Sequence, residues 1–277
     1  MKKLLILGLA LAAAGVTHAA IAPIEGTKDV GVVPVSAPGK TGDNALQILS
    51  VPFERCMGNG EGTTVKLGDL VSTNGLVAHA DNKVLADQLI VLTTNDVGTE
   101  VYYYYYLKDV SGVNTWTPIE ITLLNGGEPG GTPILPPPAN EFDLARGTGF
   151  WLKRPAGTPL TTAYLKGQVA TADSTVTIKK NSRTLISLGA FADVNVNASG
   201  PTWTTRYAGN GISGMDYLMT VKTDGSGEID KTYFYHANDA THKWWSQDGQ
   251  YPDVQPGQGL WYVRKDPDND LTFTPTK

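Results

Sequence analysis

Gly147-Thr148-Gly149-Phe150-Trp151-Leu152-Lys153-Arg154 and Gly257-Gln258-Gly259-Leu260-Trp261-Tyr262-Val263-Arg264 follow one pattern, Gly-x-Gly before a short aromatic run that ends on Arg. A glycine just ahead of such a run supplies a positive-φ turn or bulge and lets another backbone come close. Side chains alternate along a strand, so Trp151 or Trp261 can cover a core while Arg154 or Arg264 faces the opposite side or stacks. The motif Gly147, Gly149, Trp151, Arg154 and its copy Gly257, Gly259, Trp261, Arg264 therefore read as structural.

Other blocks recur in the same order. Ile48 to Phe53 matches Leu185 to Ala190, and Ala86-Asp87-Gln88-Leu89 matches Met215-Asp216-Tyr217-Leu218. Tyr102 to Tyr106 with Trp116 corresponds to Tyr233-Phe234-Tyr235 with Trp244 and Trp245, and Gly31-Val32-Val33 to Gly167-Gln168-Val169. Four ordered blocks and a leading one predict an internal repeat. Apolar runs of four to eight residues, closed by Gly, Pro, Asn or Asp, dominate the chain. They include Val30 to Val35, Gln88 to Leu92, Ser174 to Ile178 and Tyr217 to Val221, with a shorter run at Leu271 to Phe273. Helical periodicity is weak, at Val65 to Val71 and Asn82 to Ala86. The expected fold is all-β: two tandem related β-sandwich or small β-barrel modules with at most short helices. The modules are placed at 29–165 and 166–277, after a linker at 20–28. The stretch Asn125 to Pro138, rich in Gly and Pro, is expected as a surface loop that cannot sit inside a sheet.

Lys2 and Lys3 precede an apolar run from Leu4 to Val16 and the small residues before Ala20, which reads as a signal peptide at 1–19 cut after Ala19. That run is shorter than the roughly 20 residues a spanning helix needs, and no later stretch approaches that length. The mature protein is thus expected to be secreted, periplasmic or at the cell surface, without a transmembrane segment. Removing Lys2 and Lys3 from the 22 basic residues leaves 20 against 27 acidic ones, which disfavours nucleic acid as a partner. Cys56 is the single cysteine, so no internal disulfide can form, and it reads as an inert thiol.

The strand Val30 to Val33, the strand Leu49 to Phe53, the aromatic hairpin Tyr102 to Trp116 and the closing Gly147 to Arg154 follow a V-G-x-V, L-S-[IVL]-P-[FL], G-x-G-[FY]-W order. In this the chain resembles uncharacterised secreted two-module β proteins of Verrucomicrobia- and Kiritimatiellae-type bacteria. The second half departs from the pattern at Gly189, where it expects Pro. The resemblance implies an exported β-rich module and brings no catalytic residue.

Five consecutive tyrosines on a strand send Tyr102, Tyr104 and Tyr106 to one face. With Trp116, Tyr233, Tyr235, Trp244 and Trp245 they are the candidate ligand-binding rings, flat enough to stack on sugars; cross-strand packing is the plainer reading. Pro38-Gly39-Lys40-Thr41 fails as a phosphate loop because Pro34 stands where the first Gly belongs. Gly58 to Gly62 lacks the Lys-Ser/Thr that would follow in such a loop. Asp266, Asp268 and Asp270 alternate as calcium ligands can, but lack the EF-hand glycine, and an acidic hairpin turn fits better. His236, Asp239 and His242 match no zinc spacing. No metal, cofactor or catalytic residue is assigned. The expectation is a non-catalytic structural or interaction protein of the cell envelope or extracellular matrix, with surface glycans or copies of itself as partners. A carbohydrate-binding module is the alternative and a secreted hydrolase the next.

Overall fold

Alternation along Glu100–Val110 sets the first sheet: Val101, Tyr105 and Leu107 are buried, while Tyr102, Tyr104 and Tyr106 on the other face are half-buried. The computed structural model describes residues 30–53, 65–94, 100–122, 133–169, 173–189, 194–197, 201–204, 206–208, 212–237 and 243–276. The leader, the linker, Cys56, Gly58 to Gly62, Asp239, His242 and the glycine-rich part of the Gly/Pro stretch lie outside the described residues.

The chain is all-β, built from antiparallel sheets with a four-residue helix at Leu67–Leu70 and short 3-10 turns at Lys83–Leu85 and Ile212–Gly214. Asn82 starts the turn at Lys83 by accepting the Val84 amide on its side chain at 3.0 Å. The first five-stranded sheet runs, in spatial order, Ala45–Ser50, Gly149–Arg154, Gln88–Thr94, Glu100–Val110 and Val113–Ile119. The second runs Arg183–Ser187, Gly259–Val263, Tyr217–Val221, Ile229–Tyr235 and Trp244–Trp245. Taken along the chain, the two orders are the same. Register then matches Trp151 with Trp261, Tyr105 with Tyr233 and Trp116 with Trp244.

Each sheet buries one face in its own core. Leu49, Leu89, Tyr105, Trp116, Phe150 and Leu152 belong to the first core, and Ile186, Leu218, Tyr233, Trp244, Leu260 and Tyr262 to the second. The opposite faces meet in a third cluster of Ile48, Leu92, Leu185, Val221 and Trp261, with Trp151, Tyr102 and Met219 packed on it. Trp151 and Trp261 thus lie in the seam between the sheets and not, as the sequence pattern suggests, over the core of their own sheet, because Phe150, Leu152, Leu260 and Tyr262 take the core face. Full burial of such a side chain is worth about 1.5–3 kcal/mol, so this seam outweighs any surface ion pair that crosses it.

The Gly-x-Gly stretches make the seam close. The first glycine of each has positive φ, +91° at Gly147 and +75° at Gly257. The second touches the other sheet: a Cβ on Gly149 would stand 3.1 Å from Leu185 Cβ, and one on Gly259 2.5 Å from Ile48 Cγ2.

Two expectations differ from the structure. Strand Thr161–Gln168 runs through 165/166, and all of it pairs with Val30–Ala37, Val30 opposite Gln168. Gly31 therefore faces Gly167 as a strand partner, and the register counterpart of Val30–Ala37 is Val176–Ile178, which pairs with Leu271–Thr274. The Gly/Pro stretch also enters a sheet, since Pro133–Ile134 pairs with Ile121–Thr122. A two-stranded ribbon tolerates proline there because the ring nitrogen can face away from the ladder.

Candidate functional site

Charged groups buried in a β core need partners, and this chain buries two matched sets. Arg154 and Arg264 close their strands on the core side, each 1% exposed. Arg154 Nε meets Asp87 Oδ1 at 3.3 Å, while its Nη1 donates to the carbonyls of Ala37 at 3.0 Å and Pro159 at 2.5 Å. Arg264 Nη1 donates to Asp216 Oδ2 at 2.5 Å and Nη2 to Asp266 Oδ2 at 2.8 Å, with the Asn269 carbonyl accepting from both Nε and Nη2. The arginines face away from the tryptophans, as alternation requires, but they are interior ion pairs and not stacked rings.

The aspartates tie loops to strands. Asp87 Oδ2 accepts the Val77 amide at 2.7 Å and Asp216 Oδ2 the Tyr207 amide at 3.0 Å. Their backbones repeat one pattern: Asp87 and Asp216 amides donate to the Val77 and Tyr207 carbonyls at 2.8 Å, while their carbonyls accept from Leu107 at 2.8 Å and Tyr235 at 2.9 Å. Asp216 further accepts the Tyr262 hydroxyl at 2.8 Å and the Lys265 amide at 2.8 Å. Burial, and after it the Val77 amide and Arg154 acting the other way, leaves the Asp87 carboxyl above its usual range. Burial and then the Asp216 charge hold the Tyr262 hydroxyl well above the ordinary phenol value. These clusters bind strand ends together.

The candidate rings divide. Trp116, Tyr233, Tyr235 and Trp244 are buried, at 7%, 5%, 7% and 0% exposure, so they offer no stacking platform. The reason is alternation: each sits on the core face, and Trp244 is ringed by Trp203, Tyr235 and Tyr262. Tyr102 lies against the seam, with its hydroxyl on Glu100 at 3.2 Å and Arg183 at 3.3 Å. Tyr104, Tyr106 and Trp245 are half-buried, and Trp245 packs on the His236 ring at 4.7 Å. The acidic stretch is a corner and not a hairpin, since Gly259–Val263 and Leu271–Thr274 belong to different sheets. Within it Asp266 accepts the Asp268 and Asn269 amides at 2.9 and 3.1 Å. No group of three metal-ligating side chains occurs among the described residues.

An open cleft of about 500 Å³ lies on the second sheet, within the roughly 300–1,000 Å³ of small-ligand sites. Thr220 and Tyr233 form its floor, and Asp230, Lys231, Tyr251, Gln255 and Gln258 are among its walls. Tyr251 is 40% exposed, the only tyrosine lining the cleft that is open to solvent. Burial and then the Asp230 charge raise the Tyr233 hydroxyl above its ordinary value, against the Thr220 hydroxyl beside it. Of the ring residues read from the sequence, Tyr233 alone is among those lining the cleft. Among the described residues no helix is long and apolar enough to cross a membrane. The chain matches no family model, no curated protein and no solved structure.

Proposed function

We propose that the protein is an exported, non-catalytic structural or interaction protein of the cell envelope or extracellular matrix, built of two related β modules. The observation that carries this reading is the use of the interior charges: both Asp–Arg clusters are tied to backbone amides and carbonyls of the scaffold. Carboxylates held this way, buried and paired with an arginine, brace strand ends and loops. The signal-peptide pattern at 1–19 and the matched strand orders support the same reading.

Expression with a C-terminal tag in a bacterium that secretes proteins, followed by fractionation and intact mass, tests it. The expected product begins at Ala20 and is found outside the cytoplasm. Recovery of the chain in the cytosol still carrying Met1 to Ala19 overturns the proposal.

A further inference from the structure

The two sheets share strand order, so several cleft residues have a register counterpart in the first sheet, and three positions at or beside the cleft differ in kind. Tyr103 stands where the second sheet has Lys231, and Val91 where it has Thr220. Phe142 holds the place of Pro252, because Leu67 donates to the Phe142 carbonyl at 3.0 Å as Val196 does to that of Pro252 at 3.1 Å. In the first sheet those side chains fill the space. Phe142 packs edge-on to Tyr103 at 5.7 Å and against Tyr105 at 5.9 Å, and the Tyr105 hydroxyl is closed off by the Pro137 carbonyl at 3.0 Å. The second sheet has smaller or polar groups at these places, and Thr220 and Lys231, the counterparts of Val91 and Tyr103, line the cleft of about 500 Å³.

We propose that this cleft is a binding site for a neutral, polyhydroxylated ligand of the glycan class. The lining suits vicinal hydroxyls. Gln255, Gln258 and the Asp230 and Asp253 carboxylates present planar groups that donate to or accept from neighbouring hydroxyls, and Tyr251 offers an exposed ring for stacking against a sugar face. The two lysines are already engaged. Lys222 pairs with Glu228 at 2.5 Å, while Lys231 binds the Gln250 side chain and lies 3.8 Å from Asp248. With Asp224, Asp230 and Asp253 against Lys222 and Lys231 the lining carries an excess of negative charge, which turns away anions. Few apolar groups line it, which disfavours a lipid. A second open cleft of about 380 Å³ shares Asp230 and Lys231, so a chain ligand can continue across the start of strand Ile229–Tyr235.

The site goes beyond the exported-protein reading and does not depend on it. Titration calorimetry of the full chain with soluble neutral hexasaccharides of glucose, mannose, galactose and xylose tests it, with a glutamine- and asparagine-rich peptide as comparison. Saturable binding of a hexasaccharide is expected. Tyr251→Ala should weaken it about tenfold, the scale of one lost ring contact. Thr220→Val with Lys231→Tyr, which installs the residues of the first sheet, should abolish it. Gln255→Ala, at an exposed position, reads the same site if the filled variant fails to fold, and should also weaken binding. Failure of all four hexasaccharides, binding that survives Tyr251→Ala and Gln255→Ala, or binding of the peptide alone overturns the proposal. Fractionation results are untouched by any of these outcomes.

Discussion

Trp151 and Trp261 hold the same register position in two different sheets and meet with ring centroids 6.4 Å apart, tilted by 59°. The backbone around them is equally reciprocal. The Ser50 amide donates to the Gly257 carbonyl at 2.9 Å, and the Ser187 amide to the Gly147 carbonyl at 2.7 Å. Single bridges join Leu49 to Gln258 and Ile186 to Thr148 in the same crossed fashion. Each strand that ends on a Ser is thus held at that end by the glycine stretch that leads into the other sheet.

Two cross-seam couplings should rank differently in double-mutant cycles read by urea unfolding. Trp151 with Trp261 should couple by about 0.5–1.5 kcal/mol and be indifferent to salt. Arg183 with Glu100, 3.0 Å apart but with the arginine half exposed, should couple by about 0.2–1 kcal/mol and fade in 1 M salt, where the Debye length is about 3 Å. A salt-resistant ion pair stronger than the tryptophan pair would mean that the seam is held by charge.

Alanine at the second glycines should hurt unequally. At Gly259 the new methyl meets Ile48 Cγ2 at 2.5 Å and the Leu49 carbonyl oxygen at 2.6 Å, and the backbone cannot step aside. At Gly149 the nearest atoms are 3.1 and 3.2 Å away. Overpacking of this kind costs about 1–3 kcal/mol, so Gly259→Ala should sit at the upper end and Gly149→Ala at the lower. Equal losses in thermal unfolding would show that the two contacts are not as close as described.

Removing one member of an interior ion pair strands the other. Arg154→Ala and Arg264→Ala should each cost about 3–5 kcal/mol in chemical denaturation. Asp216→Asn should cost more than Asp87→Asn, since Asp216 serves the Tyr207 and Lys265 amides, the Tyr262 hydroxyl and Arg264, whereas Asp87 serves the Val77 amide and Arg154. The reverse order would place the main brace in the first sheet.

Period-two alternation made most strands and the all-β class readable from the sequence, and Gly-x-Gly correctly announced a positive φ and a close approach. Several two-residue strands escaped, and so did two long ones. Val113–Ile119 buries only Trp116 and leaves Val113 exposed and Ile119 half-buried, and Thr161–Gln168 buries only Ala163, Leu165 and Gly167, too little contrast to register as a pattern. The fate of the arginines was written in the recurrence of Asp87 with Arg154 and Asp216 with Arg264 inside apolar blocks, a pairing that alternation alone does not reveal. The cleft was not legible, because it arises where matched positions differ, and that match needs the strand register.

Acid should destabilise the protein within a definable window. The Lys180 amide, with Lys179, holds the Asp270 carboxyl below its usual value. For Asp266 burial pulls upward, but the Asp268 and Asn269 amides, the Asn269 side chain and Arg264 together take it lower. A carboxyl depressed in the folded state binds fewer protons there than when unfolded, so its contribution is complete above the ordinary value of about 3.9 and disappears as pH falls through the folded value. Asp87, raised by burial, has the opposite sign: its contribution is complete below that ordinary value and is lost as pH rises through its folded one. The urea midpoint should therefore fall below about pH 4. The fall should be shallower in Asp266→Asn, which removes a group that drives it, whereas Asp87→Asn should follow the unmutated curve below about pH 4 and lose only the gain in stability that the raised carboxyl gives as pH drops toward the ordinary value. Curves for the three proteins that run parallel from pH 6 to 2.5 would show that neither carboxyl is linked to folding.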